Sequence, residues 1–463
     1  MMGARTLCSR TRAGRSGVRK VLLAFSVFVT VATASTNPTD DSVEAIGLAA
    51  AVAGGGNHSL VLKSDGTVWS FGHNGDGQLG TSTNNWLNPV PVQVMSGATA
   101  VAGGAHHSLV LKSDGTVWSF GANAYGQLGT STNNGTSVAN PLPVQVMSGA
   151  TAVAAGNFHS LVLKSDGTVW SFGNNAYGQL GTTTNNGTSV ANPVPVQVMS
   201  GATAVAAGEI HSLVLKSDGT VWSFGNNAYG QLGTSPNNGT SVANPVQVMS
   251  GATAVAAGGN HSLVLKSDGT VWSFGHNGFG QLGTSTNNNT YIANPVPVQV
   301  MSGATAVAAG YYHSLVLKSD GTVWSFGYNE YGQLGTSTNN GSSSANPLPV
   351  QVMSGARAVA AGYFHSLVLK PDGTVWTFGY NAYGQLGTAT NNGTSVANPQ
   401  PTSGGDVNGD GVVRVAILGD SYISGEGLTS PSTDVATDVY GYPVLGYDSG
   451  TDVGGNTCHR SRT

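Results

Sequence analysis

One stretch of sequence recurs seven times in this chain, and that repetition limits the fold more than any other feature. The dipeptide His-Ser stands at His58, His107, His159, His211, His261, His313 and His365, at spacings of 49, 52, 52, 50, 52 and 52 residues. One copy reads AVAAGGNHSLVLKSDGTVWSFGHNGFGQLGTSTNNNTYIANPVPVQVMSGAT, from Ala254 to Thr305. A period near 50 belongs to the blade of a β-propeller rather than to a short-period solenoid.

Each unit offers four strands. In the fifth copy they are Thr253–Ala257, Ser262–Lys266, Thr270–Phe274 and Pro297–Val300. The third alternates, with Val271 and Ser273 on one face and Trp272 and Phe274 on the other. Asp268-Gly269 closes a tight hairpin between the second and third, because glycine takes positive φ without steric cost. The expected fold is therefore all-β, a seven-bladed propeller over residues 35–401. The seventh copy stops at Asn398-Pro399-Gln400-Pro401 and lacks the Pro-Val-Gln-Val run. The stretch Asn37–Glu44 has the layout of that missing run and is expected to supply the outer strand of blade seven, hiding both sheet edges.

The repeat AAGxxHSLVLxxDGxVWSFGxNxxGQLG resembles that of the regulator of chromosome condensation family. The resemblance implies a seven-bladed propeller. It also implies a role either as a nuclear guanine-nucleotide exchange factor or, as in many members, as an interaction scaffold.

The N-terminus departs from the nuclear members. Arg5, Arg10, Arg12, Arg15, Arg19 and Lys20 precede an apolar run from Val21 to Ala34 that ends in Ala32-Thr33-Ala34. This is the layout of a secretory signal peptide over residues 1–34, and the run is too short to span a bilayer. Removing those six of the 17 basic residues leaves 11 against 21 acidic ones, a net charge of −10. That balance argues against nucleic acid as partner, and with export it argues against exchange activity. The expected location is extracellular.

Comparing the copies with one another marks a candidate face. The second–third turn is nearly constant. The pair before each histidine varies: Gly56-Asn57, Ala105-His106, Asn157-Phe158, Glu209-Ile210, Gly259-Asn260, Tyr311-Tyr312 and Tyr363-Phe364. So does the third–fourth loop, at His73, Ala122, Asn174, Asn226, His276, Tyr328 and Tyr380. In a four-strand meander both spots fall on one face. Phe158, Tyr311, Tyr312, Tyr328, Tyr363, Phe364 and Tyr380 are the expected binding residues, exposed rings suited to a protein or a glycan. No cofactor and no metal is expected. A ring of histidines would lie too far apart for one ion, and each is expected to bond a turn backbone inside its own blade. The tryptophans, such as Trp272, are expected to pack the blades. Gly75–Gly80 and Gly278–Gly283 match G-x-G-x-x-G, but no helix is expected after them, which removes the dinucleotide reading.

Beyond a linker at 402–412 the composition changes. Asp406, Asn408 and Asp410 open like a calcium loop, but Ile417 stands where a bidentate carboxylate is needed, so a polar turn is expected. VAILGDSYISGEG follows, and then Cys458-His459-Arg460-Ser461. These resemble the first block and a later run of secreted actinobacterial members of the SGNH, or GDSL-type, esterase and lipase family. The resemblance makes Ser421 the nucleophile, with Gly419 and Asp420 beside it. It implies an ester substrate once the domain is complete. Residues 413–463 lack the Asp-x-x-His block that supplies the base, and a serine without its base is a weak nucleophile. The chain as given is expected to be an inactive fragment of an α/β hydrolase behind a binding propeller. With Cys8 leaving in the signal peptide, Cys458 stands unpaired, consistent with a partner further along.

Overall fold

In the computed structural model, residues 49–403 are described, apart from 84–85 and 236–239. Residues 37–48 and the whole esterase-like segment, with Gly419, Asp420, Ser421 and the Asp406–Asp410 loop, lie outside the described residues. The described elements are all β-strands, arranged as seven four-stranded antiparallel sheets, each built from four consecutive strands. In blade five they are Ala252–Ala257, His261–Lys266, Val271–Gly275 and Asn294–Met301. The first three match the sequence expectation within a residue or two. The fourth is longer than expected, because the backbone pairs from Asn294 onward despite two prolines.

The first strand lies innermost. Its alanines and valine are buried, and side chains this small let seven strands gather round one axis. The fourth strand is the outer edge and is largely exposed, with Val296 at 61%. Its prolines lack the N–H that an intruding strand would need, which protects the edge from pairing with another chain.

The core sits between blades. Leu263, Leu265 and Val271 of blade five pack with Val307, Val316 and Phe326 of blade six. The phenylalanine of each third strand is fully buried, and burying one such ring contributes about 1.5–3 kcal/mol. The tryptophan two residues earlier only caps this core. Trp272 is half-buried, donates from Nε1 to Thr270 Oγ1 at 3.0 Å, and lies under Lys266 Nζ at 4.3 Å.

The histidines correct one expectation. Each Nε2 reaches the serine of the next blade rather than its own turn: His211 to Ser262 at 2.9 Å, His261 to Ser314 at 2.9 Å. That serine donates onward to a glutamine carbonyl, Ser262 Oγ to Gln231 O at 2.8 Å. Since the serine spends its proton there, it must accept from the histidine, which fixes the Nε2–H tautomer. Each ring is buried. Neutral imidazole is the form this latch requires, and burial pulls His107, His159, His211, His313 and His365 down to about 3.

The same device closes the ring. His365 Nε2 pairs with Ser59 Oγ at 2.9 Å, and Ser59 Oγ donates to Gln385 O at 2.9 Å. Tyr363 N–H donates to Gly55 O at 3.2 Å. The outer strand of blade seven is Asn398–Ser403, paired through Thr377↔Thr402 and Trp376↔Ser403. The chain's own continuation thus fills the place assigned above to Asn37–Glu44. Backbone pairing needs no Pro-Val-Gln-Val side chains, so Gln400-Pro401-Thr402-Ser403 serves.

Candidate functional site

The two variable loops of each blade are tied together. Tyr328 N–H donates to Tyr312 O at 2.9 Å, and Tyr380 N–H donates to Phe364 O at 2.8 Å. The Asp-Gly turns meet the inter-blade connections on the opposite face, as in Ala304 N–H to Gly269 O at 3.0 Å. The Gly-x-Asn-x-x-Gly-Gln-Leu-Gly stretch acts as a rigid bracket for the variable face. Asn277 Oδ1 accepts from Leu282 N–H at 2.9 Å, and its Nδ2 donates to Thr284 O at 2.8 Å and Thr286 O at 2.7 Å. Gln281 Oε1 accepts from Phe279 N–H at 2.9 Å. The bracket holds the residue before Gly-Gln-Leu-Gly, here Phe279, in the same place in every blade.

Six of the seven expected aromatic residues join one network. Tyr311 meets Tyr312 at 4.3 Å between ring centroids and Tyr363 at 4.7 Å. Phe364 lies within 6.1 Å of Tyr328 and of Tyr363, and 6.5 Å from Tyr380. Phe158 stands apart, stacked on His106 at 6.1 Å and tilted against Tyr125 at 5.0 Å. The rings are not the freely exposed side chains expected from the sequence. They are half-buried against one another, and Tyr328 is only 9% exposed.

Residues passed over in the sequence complete the row. Phe279 bridges Tyr312 and Tyr328 at 4.7 and 4.8 Å. Tyr331 bridges Phe364 and Tyr380 at 5.3 and 4.7 Å. Tyr383 connects Tyr380 at 6.0 Å to His73 at 4.9 Å, and His73 meets the exposed Trp86 at 4.9 Å. The signal was present: six of the seven copies carry an aromatic residue before Gly-Gln-Leu-Gly. A comparison that sought variation discounted a position that barely varies. The continuous row runs from blade five through blade seven into blade one.

This arrangement has a cost. In blades one and five the buried glutamine amide donates to a histidine, Gln78 Nε2 to His73 Nδ1 at 2.7 Å and Gln281 Nε2 to His276 Nδ1 at 2.8 Å. In blades six and seven Tyr328 and Tyr380 take the histidine's place. Gln333 Nε2 and Gln385 Nε2 are then buried without a hydrogen-bond partner. Leaving such a donor unmet costs about 1–3 kcal/mol.

At the axis, the mouth on this face is walled by Asn157, Glu209, Tyr311 and Tyr363 among glycines and alanines. The Tyr363 hydroxyl donates to Asn157 Oδ1 across the opening. Glu209 accepts from the Tyr311 hydroxyl and, at 3.2 Å, from Asn260 Nδ2, while burial raises its pKa above the usual carboxyl value. Among the described residues, no three His, Cys, Asp or Glu side chains are grouped to hold a metal ion. Nor is any described helix long and apolar enough to cross a membrane.

The RCC1-like domain description matches residues 136–424, and single repeats of the regulator of chromosome condensation match 49–78, 65–111 and 98–127. The chain belongs to the RCC1-like domain family. Among curated RCC1-like relatives, the probable E3 ubiquitin-protein ligase HERC3 of Homo sapiens is 37% identical over 360 residues. That match takes in 76% of this chain but only 29% of the ligase. The ultraviolet-B receptor UVR8 of Arabidopsis thaliana is 29% identical over 346 residues, 73% of this chain and 78% of the receptor. The crystal structure of Prp20p from Saccharomyces cerevisiae superposes with a TM-score of 0.66 at 23% identity, over 75% of this chain and 88% of Prp20p. Human WBSCR16 does so with 0.63 at 23% identity, over 73% and 93%. At such identity these two likenesses speak for the propeller fold.

Proposed function

We propose that this RCC1-like propeller is a protein-interaction module whose partner docks on the aromatic row of blades five, six, seven and one. One observation carries the reading. Blades six and seven give up a buried hydrogen bond at Gln333 and Gln385 to place Tyr328 and Tyr380 on this face. Departures from local consistency of this kind concentrate at functional sites. Seven nearly identical blades would make a symmetric ring, yet aromatic residues crowd one half of it, and tyrosines pack a large contact area into few rotatable bonds. Prp20p, which shares the fold, binds Gsp1p and histones, both proteins, and that favours a protein over a glycan here.

The test uses Tyr331→Ala and Tyr380→Ala, with Tyr177→Ala as control. Tyr177 occupies the same repeat position in blade three and is 42% exposed. Each of the first two variants is expected to weaken partner binding at least tenfold, the loss typical of an interface anchor. The control is expected to leave binding unchanged. Equal loss in all three would refute the placement.

The reading extends to the ends of the chain. The basic stretch and apolar run before Ala34 support export, and the Gly419-Asp420-Ser421 block supports attachment to an SGNH-type esterase that the propeller would bring to its target. N-terminal sequencing of the protein from culture supernatant is expected to begin at Ser35. Retention in the cell with Met1 intact would contradict export.

A further inference from the structure

Charge is sorted between the two faces of the ring. The described lysines, Lys63 to Lys370, all precede the second–third turns, and Arg357 lies in the connection entering blade seven. All are on the face opposite the aromatic row. The aromatic face carries Asp76, Glu209 and Glu330 and, among the described residues, no lysine or arginine. Asp76 is held by His106 at 2.9 Å, and Glu330 accepts from the Tyr328 hydroxyl. Glu209 is different. It stands at the axial mouth, half-buried, and its named partners Tyr311 and Asn260 are neutral donors.

We propose that the axial mouth is a binding site for one cationic side-chain end, a guanidinium or primary ammonium presented by the partner, with Glu209 as counter-ion and Tyr311 and Tyr363 as its aromatic walls. The proposal rests on the interaction reading and supplies the chemistry that the partner must bring. The mouth holds about 280 Å³ of space, its opening included, just under the roughly 300–1,000 Å³ of pockets for drug-sized ligands. That suits a single side chain. Gly56, Ala105 and Gly259 keep it open where other blades carry Asn157, Glu209 and tyrosines. Burial penalises the Glu209 carboxylate, and the neutral donors offset that penalty only in part. An incoming cation restores it through a charge-assisted hydrogen bond, and the rings add cation–π attraction. A lone carboxylate cannot assemble the six or more oxygens of a calcium site.

The test titrates the full chain at pH 7.5 with n-propylguanidinium, and with the uncharged n-propylurea as comparator, following tyrosine and amide resonances. Saturable binding of the guanidinium is expected, with no saturable binding of the urea. Glu209→Gln keeps an acceptor for Tyr311 and is expected to weaken guanidinium binding at least tenfold. Equal binding of the urea, unchanged affinity in Glu209→Gln, or no guanidinium binding would overturn the proposal. Tyr311→Phe keeps the ring and frees the carboxylate, so it should bind at least as tightly as the parent. Loss of binding there would overturn the role given to Glu209. If propylguanidinium fails while Tyr331→Ala still loses the partner, only the cation assignment falls. If Tyr331→Ala keeps the partner, the interaction reading falls with it.

Discussion

Acidification from pH 7 to pH 5 is expected to unfold the propeller. His107, His159, His211, His313 and His365 have folded pKa values of about 3, while a free histidine titrates near 6.5. The folded values are depressed, so between these limits the unfolded chain binds more protons. The stabilisation is complete above about pH 6.5 and is lost as pH falls toward 3. Between pH 7 and pH 5 each of the five gives up about 2 kcal/mol, roughly 10 in all, against the 5–15 kcal/mol that holds a typical domain. His58 and His261 are also well below their ordinary value through burial and add in the same direction. The turn aspartates, such as Asp114, are lowered by hydrogen bonds from threonine, and their contribution fades only at lower pH. Far-UV circular dichroism followed against pH should show a steep transition between about pH 6 and 4.5, with uptake of several protons. His211→Gln offers Ser262 an amide donor that does not titrate and should remove about one of them. A chain that stays folded through pH 4 would contradict the neutral latch.

Gly362→Ala is expected to abolish the fold. Gly362 ends the first strand of blade seven at the closing seam. A Cβ there would lie 2.1 Å from the His365 ring and 2.5 Å from Gly55 O. The ring belongs to the closing latch and the carbonyl is backbone of blade one, so neither can step aside. The loss should exceed the roughly 1–3 kcal/mol of ordinary overpacking, because a seam that fails to seat exposes the flanks of two blades. Gly97→Ala serves as the counterpart. Gly97 has φ of +73° with nothing within 4 Å of an added Cβ, so only backbone strain of about 1–2 kcal/mol is at stake. Thermal unfolding should show a modest shift for Gly97→Ala and no cooperative transition for Gly362→Ala. Similar melting of the two would mean that the seam is looser than described.

The architecture was legible because repeated sentences make repeated blades. Strand positions followed from Leu-Val-Leu and Val-Trp-Ser-Phe, and one face emerged from comparing copies. Three features were not legible, each for a physical reason. The His–Ser latch joins residues about 50 apart, and with identical blades no covariation reveals that a histidine serves its neighbour. The seam was misplaced because strand pairing at Asn398–Ser403 depends on backbone, while the sequence comparison looked for side chains. The aromatic row was half seen. Tyr312 and Phe364 stood out as variable, whereas Phe279, Tyr331 and Tyr383 were hidden by their regularity, and only the ring geometry shows that they fill the gaps between variable neighbours. Glu209 was visible as one member of a variable pair, but its place at the axis appears only once the ring is closed.

The repeat provides its own controls for the central claim. A photo-activatable side chain placed before each Gly-Gln-Leu-Gly, at Asp76, Tyr125, Tyr177, Tyr229, Phe279, Tyr331 and Tyr383, samples the same position in all seven blades. The account predicts that cross-linking to the partner is concentrated at Phe279, Tyr331 and Tyr383, with little at Tyr125 and Tyr177. Uniform cross-linking round the ring, or adducts confined to the half that carries Tyr125 and Tyr177, would contradict it.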